Sequence, residues 1–317
     1  MNIGLLLLVF LAAALGTQAL GLALRWVDRK VTARVQYRVG PPFFQPVFDV
    51  LKLMGKENLM PATAVGTGFL LAPVVALAST GVAAAILWAA VFQPTATFLG
   101  DLIVVVYLLT IPATMTILGG AASGNPHAAV GASREMKLLL GYELPLVLAI
   151  LVAVAHNGWT LKLGDLATFQ QMHGSTVLSF SGLLAFLVAI LCMHAKLGQV
   201  PFDVAEAECE IMSGVYVEYS GPSLACWHLT RAMLLALLPL LLIVVFWGGL
   251  DTSVWWDWPA FLAKYVLLVA LVTVLRNTNP RLRIDQTVKF FWFVLTPVAI
   301  VAAALAAIGV SENLSWL

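Results

Sequence analysis

The sequence predicts an all-α integral membrane protein, and three observations carry that expectation. Residues of the AVILMFWYC set make up 61% of the 317-residue chain. Charged residues make up 10%, against about 25% in soluble domains. Mean hydropathy is +0.96, so a soluble fold of this chain would lack the polar groups to cover itself. The formal net charge of +1 supplies neither a basic field nor an acidic tail, which argues against nucleic acid as a partner.

A bilayer core about 30 Å thick takes about 20 apolar residues per helix. Stretches of that kind lie at 2–24, 66–92, 99–119, 137–155, 180–198, 232–250, 260–276 and 288–309, which predicts about eight spans. The first lacks a basic leading region and a small-residue cleavage site, so it reads as a retained span rather than a signal peptide. Pro73, Pro112, Pro145, Pro239 and Pro297 fall inside or near spans, where membrane helices accept kinks. No internal repeat is visible, which counts against an inverted-repeat transporter. The whole chain, 1–317, reads as one polytopic membrane domain.

Eight spans sort the connections into two sets. One set comprises 25–65, 120–136, 199–231 and 277–287. With the adjoining span ends it holds 15 of the 17 lysines and arginines, leaving only Lys162 and Lys264 towards the other side. The positive-inside rule makes the rich side cytoplasmic and places both termini outside. A cell inner membrane is the expected location.

The connections differ in character. In 25–65, Arg29, Lys30, Arg34 and Arg38 sit at near-helical spacing suited to lipid headgroups. After Gly40-Pro41-Pro42, apolar Phe44, Val47, Phe48, Leu51 and Met54 interleave with Gln45, Asp49, Lys52 and Lys56. That pattern predicts an amphipathic cytoplasmic helix. In 199–231 the acids Asp203, Glu206, Glu208, Glu210 and Glu218 gather with no lysine or arginine between Lys196 and Arg231. On a helix Asp203, Glu206 and Glu210 would share one face and repel, a costly arrangement unless solvated or used. Glu143 is the other costly residue, about two turns into a hydrophobic helix. It is expected to pair with Arg134 or a neighbouring helix, or to act. His194 and Lys196 are placed to pair with the nearby acids.

Cys192, Cys209 and Cys226 form no CxxC pair, and the five histidines are scattered. This chain alone is therefore expected to hold no metal, cluster or disulfide framework. Redox chemistry is expected on other chains.

Three stretches resemble a known family: Arg38-Val39-Gly40-Pro41; Asp49-Val50-Leu51-Lys52-Leu53 with Lys56-Glu57-Asn58; and Pro201-Phe202-Asp203-Val204-Ala205-Glu206-Ala207-Glu208 with Glu218-Tyr219-Ser220-Gly221. They resemble the subunit-1 (NuoH-like) membrane family of respiratory complex I and of energy-converting NiFe hydrogenases. The segment Gly131-Ala132-Ser133-Arg134-Glu135-Met136 looks like the hydrogenase branch, of the formate hydrogenlyase and membrane-bound hydrogenase type.

The resemblance implies a membrane anchor and coupling subunit of a hydrogen-evolving, ion-translocating NiFe hydrogenase complex. It implies a proton path through Glu143, Asp203, Glu206, Glu208, Glu210 and Glu218, and docking positions at Arg34, Arg38 and Arg134. Implied partners are a NiFe large subunit and an iron–sulfur small subunit on the cytoplasmic side, antiporter-like membrane subunits, and lipid. The NiFe centre and iron–sulfur clusters would sit on those partners, with no cofactor and no catalytic residue here. The alternative is the quinone-site subunit of a complex I-type oxidoreductase, with a lipophilic substrate entering near Phe43, Phe44 and Phe48.

Overall fold

A computed structural model describes the backbone of residues 3–312 and the side chains of 8–95, 97–207 and 210–312. Among these the chain is helical throughout, with no strand. The helices are α1 (Ile3–Val35), α2 (Gln45–Met54), α3 (Gly66–Phe92), α4 (Asp101–Leu108), α5 (Ile111–Ala122), α6 (Pro126–His156), α7 (Leu163–His173), α8 (Phe180–Lys196), α9 (Glu208–Ile211), α10 (Gly221–Phe246), α11 (Asp257–Thr278), α12 (Ile284–Phe290) and α13 (Thr296–Ser311). Seven helical stretches are long and apolar enough to cross a bilayer, with α4–α5 and α12–α13 each counted as one. The eighth expected span, α8, has 17 residues, at the lower limit of about 17 for a crossing.

Two interruptions follow from proline. Pro112 lacks an N–H and its ring meets the carbonyl four residues back, that of Leu108, where α4 ends. Pro297 has the same effect one turn earlier, and a π-turn at Phe291–Leu295 absorbs it. There the Thr296 backbone N–H and hydroxyl both donate to the Phe291 carbonyl, the hydroxyl at 2.8 Å.

α10 is the axis of the bundle. Its most apolar stretch is 94% buried, against 11% for α1. α1, α3, α8 and α11 pack around it. The close approach of α1 depends on Gly21, where a Cβ would stand 2.2 Å from the Ala232 carbonyl oxygen. α6 and α8 pack on one another and on α13, enclosing most of the remaining core.

The expected boundaries require correction, because polar residues occupy helix ends that an apolar count omits. Residues 25–35 continue α1 rather than forming loop. Most of 120–136 belongs to α5 and α6, whose start is fixed by Pro126 and by Asn125, whose side chain accepts from the His127 N–H at 2.8 Å. Residues 221–231 open α10, and 284–287 open α12. The connection 156–179 contains α7. The amphipathic helix is present as α2: Phe44, Phe48 and Leu51 are exposed, while Pro46 is buried. α2 packs on α1 and α10.

A buried carboxylate array as the candidate functional site

Glu143 projects from α6 towards the gap where α4 gives way to α5. The Lys196 ammonium, at the end of α8, reaches its Oε1 at 2.9 Å. Thr110, in the gap itself, lies 2.9 Å from the same oxygen and accepts from Lys196 at 3.0 Å. The Thr110 hydroxyl has one proton to give, either to Glu143 or to the Val106 carbonyl, also 2.9 Å away. The Lys196 side chain is only 2% exposed and that of Glu143 25%. Lys196 also lies 5.6 Å above the Tyr142 ring. A lysine so enclosed remains charged only beside a carboxylate.

Lys196 continues into a cavity of about 40 Å³, which Glu135, Glu206, Tyr216 and Arg231 also line. At about 10–15 Å³ per water, a few waters fit there. Glu206 forms an ion pair with Arg231, whose guanidinium lies 4.3 Å from the Tyr216 ring centre. The Tyr216 hydroxyl meets that of Thr116 at 3.2 Å. Burial pushes the Tyr216 hydroxyl above its ordinary range, against the smaller opposing effect of Thr116. It therefore acts as a neutral donor or acceptor at the cavity wall. Glu135 is half-buried and forms no ion pair among the described residues.

The other acids do not share a helix face. Residues 201–207 form turns, a bend and irregular backbone, and before α10 only α9 and a 3-10 turn at Gly214–Tyr216 are helical. Asp203 pairs with Arg281 at 2.6 Å and Glu210 with Arg134 at 2.5 Å. Glu218 accepts from the Asn125 amide at 2.5 Å. The expected stack of like charges is thus replaced by separate partners on separate elements. Each is remote in sequence, so spacing alone gave no sign of it. Glu208 lies on α9, and its side chain is outside the described residues.

Two further hydrogen bonds fasten the start of this loop: the Leu282 N–H donates to the Pro201 carbonyl at 3.1 Å, and His194 Nε2 donates to that of Val200 at 2.6 Å. Lys196 pairs with an acid as expected, but with Glu143. His194 pairs with none. Arg134, expected near Glu143, lies instead at the rim. Arg34 and Arg38 are exposed at the end of α1 and beyond it, apart from the array and without an ion pair.

Sequence reasoning missed Glu135 as a cavity residue, although it belongs to the run that resembles the hydrogenase branch. Thr110 was missed as well; its signal was Pro112, two residues on. Among the described residues no three His, Cys, Asp or Glu side chains gather to hold a metal. The array is suited to accepting, holding and passing protons between carboxylates, an ammonium, hydroxyls and water.

A bundle of helices long and apolar enough to cross a bilayer, with a charged, water-sized interior, defines a polytopic membrane protein. The family profile described as NADH dehydrogenase matches residues 5–307, and the chain belongs to that family. It is 33% identical over 295 residues to the H-subunit of the NADH-quinone oxidoreductase of Geobacillus thermodenitrificans, covering 89% of this chain and 87% of that one. The corresponding protein of Thermomicrobium roseum is 33% identical over 312 residues, covering 89% of each. Among solved structures, a chain of the membrane-bound sulfane sulfur reductase, an archaeal respiratory membrane complex, superposes with a TM-score of 0.85. That match has 29% identity and covers 95% of this chain and 99% of the other. The chain is therefore a complex I-like membrane subunit of a respiratory oxidoreductase complex.

Proposed function

We propose that this chain anchors the electron-transfer arm of an ion-translocating oxidoreductase and opens its proton path into the membrane. The observation that carries the reading is the continuity of the array: Glu143 and Thr110 bond to Lys196, which lines the cavity that Glu135, Glu206 and Arg231 share. Asp203, Glu210 and Glu218 ring the loop end of the array, and Glu208 belongs to the same loop. A redox event in the arm would move this loop or shift its proton affinities. The change would then travel inward as charge towards antiporter-like membrane neighbours. The basic-rich end faces the cytoplasm with both termini outside, and Arg34, Arg38 and Arg134 contribute to the docking face.

For the arm itself we propose a NiFe large subunit and an iron–sulfur small subunit, so that the complex evolves hydrogen as a formate hydrogenlyase or membrane-bound hydrogenase does. The Ser133-Arg134-Glu135 run supports this branch, since Arg134 fastens Glu210 and Glu135 borders the cavity. A second reading, the quinone-site subunit, is favoured by the names of the two bacterial relatives. Metal analysis of the gently solubilised complex separates the two. Nickel with iron supports the hydrogenase arm, and flavin with quinone reduction replaces it. The proton path is tested by Glu143→Gln in sealed vesicles. Electron transfer in detergent should persist while ion movement falls; movement at the parent rate would reduce Glu143 to a structural role.

A further inference from the structure

α10 carries Arg231 of the array near its start and ends at Phe246. At that far end an open cavity of about 400 Å³ lies between α7, the end of α10 and the start of α11. Lys264, Asp251 and Asp257 border it, with Trp247 and Gln171. Charges of both signs thus share one wall, yet none of the three forms an ion pair with another. Opposite charges too far apart to pair leave room for a guest that carries both signs.

Each charged group is fixed by the chain without being neutralised. Lys264 donates to the Trp247 carbonyl at 3.1 Å, which leaves the rest of its N–H donors unused. Gln170 and Gln171 satisfy the carbonyls of Val245 and Gly248, at 2.9 and 3.0 Å, so the last turn of α10 does not compete for them. One oxygen of Asp257 accepts from the Asp251 N–H at 2.6 Å. One oxygen of Asp251 accepts from the hydroxyl and N–H of Ser253, at 2.6 and 2.9 Å. The Ser253 hydroxyl and N–H hold the Asp251 carboxyl below its usual range, so it stays charged at neutral pH. The second oxygen of each carboxylate has no hydrogen bond among the described residues.

The level is that of lipid headgroups. Trp255, Trp256 and Trp258 flank Asp257 in the chain and are all exposed, and such side chains settle at the membrane–water interface. Beyond Trp258, Leu262 and Val266 follow at four-residue steps on one face of α11, both exposed. An apolar strip therefore leads from the start of α11 into the bilayer.

From this geometry we infer that the α7–α10–α11 cavity seats the headgroup of an aminophospholipid, phosphatidylethanolamine. Its primary ammonium donates to the open oxygens of Asp251 and Asp257, and its phosphate accepts from Lys264. Its acyl carbons lie along Trp258, Leu262 and Val266. Guests of one sign fit less well. Phosphatidylglycerol would satisfy Lys264 but bring its phosphate up to two carboxylates, and a metal ion would suit the carboxylates but face Lys264. Phosphatidylcholine carries both signs, but its quaternary ammonium has no N–H to donate.

The test uses the whole complex in discs of phosphatidylcholine containing graded phosphatidylethanolamine or phosphatidylglycerol, with bound lipid counted by native mass spectrometry. The parent should retain phosphatidylethanolamine in preference to both other lipids. In Asp251→Asn/Asp257→Asn each amide keeps an oxygen acceptor for the loop's own hydrogen bonds while the charge is lost. That variant should bind phosphatidylethanolamine roughly tenfold more weakly, the loss expected for two partly exposed charge contacts. Asp165→Asn, on α7 but away from the cavity lining, should keep the parent affinity. Equal retention of the three lipids by the parent overturns the proposal without recourse to any variant, as does equal retention of phosphatidylethanolamine by parent and double variant. Displacement of the lipid by free phosphoethanolamine on equal terms also overturns it, making a soluble zwitterion the guest.

Discussion

Two sets of ion pairs hold the loop-rich half of this molecule, and they differ in surroundings rather than in chemistry. Glu143–Lys196 is enclosed by helices, with the ammonium 2% exposed. Arg134–Glu210 and Arg281–Asp203 stand at the rim, where the arginines are 22% and 36% exposed and Glu210 54%. Inside, desolvation makes each partner depend on the other; at Arg134–Glu210 water can replace the carboxylate's partner, whereas Asp203 is only 14% exposed and depends on Arg281 in turn. The inner pair is therefore where charge is hardest to separate, and Arg134–Glu210 where it is easiest.

The largest expected effect comes from separating the inner pair. Lys196→Met leaves Glu143 with Thr110 alone and should cost about 3–5 kcal/mol, the range for one partner of a buried pair. Thermal unfolding of the assembled complex reads it. The double variant Glu143→Leu/Lys196→Met should recover most of that stability and still fail to move ions into vesicles. A double variant no more stable than Lys196→Met would show that the two residues do not act together.

Glu206→Gln should have an intermediate effect, since its partner Arg231 keeps the Tyr216 ring. About 1–3 kcal/mol is expected for leaving a partly buried charge less well bonded, with proton uptake by vesicles reduced while electron transfer in detergent continues. Uptake at the parent rate would take Glu206 out of the path. Thr110→Val removes the hydroxyl between Lys196 and Glu143 and should cost about 1 kcal/mol. Because Lys196 still reaches Glu143 directly, assembly should survive. A loss as large as that of Lys196→Met would place the weight on Thr110 instead.

At the rim, Glu210→Gln should cost about 0–1 kcal/mol, and less as salt rises. Stability insensitive to salt in both parent and variant would contradict the comparison. Asp49 gives the smallest effect and a definite sign. Its carboxyl lies below the ordinary range in the folded chain, so its contribution is present above the unfolded value of about 3.9 and is lost as pH falls through the lower, folded one. Proteolysis of the α1–α2 connection should accelerate only in acid, and Asp49→Asn should remove that pH dependence.

Much of the architecture was legible because hydropathy and proline act locally. The span positions, the amphipathic α2 and the cost of Glu143 all follow from residues within a turn or two of one another. Glu143 was expected to find a partner on a neighbouring helix, and Lys196 was already marked as a pairing residue. Their meeting was not legible, since it depends on α6 and α8 packing side by side. The acidic loop misled for the same reason. Its carboxylates are close together in sequence, but Arg134, Arg231 and Arg281 come from three distant elements, and no spacing rule anticipates that. Glu135 shows the remaining gap: a motif can mark a residue without saying that it borders a cavity.

Those distant arginines bear on how the chain is made. Synthesis runs from the N-terminus, so Arg134 is already in place when the acidic loop emerges, Arg231 follows with α10, and Arg281 appears only after α11. The Asp203–Arg281 pair can therefore form only after two more helices have entered the membrane. The Leu282-to-Pro201 hydrogen bond can form only at the same late moment. An arm that recognises the closed loop would thus bind only chains whose insertion has reached the start of α12.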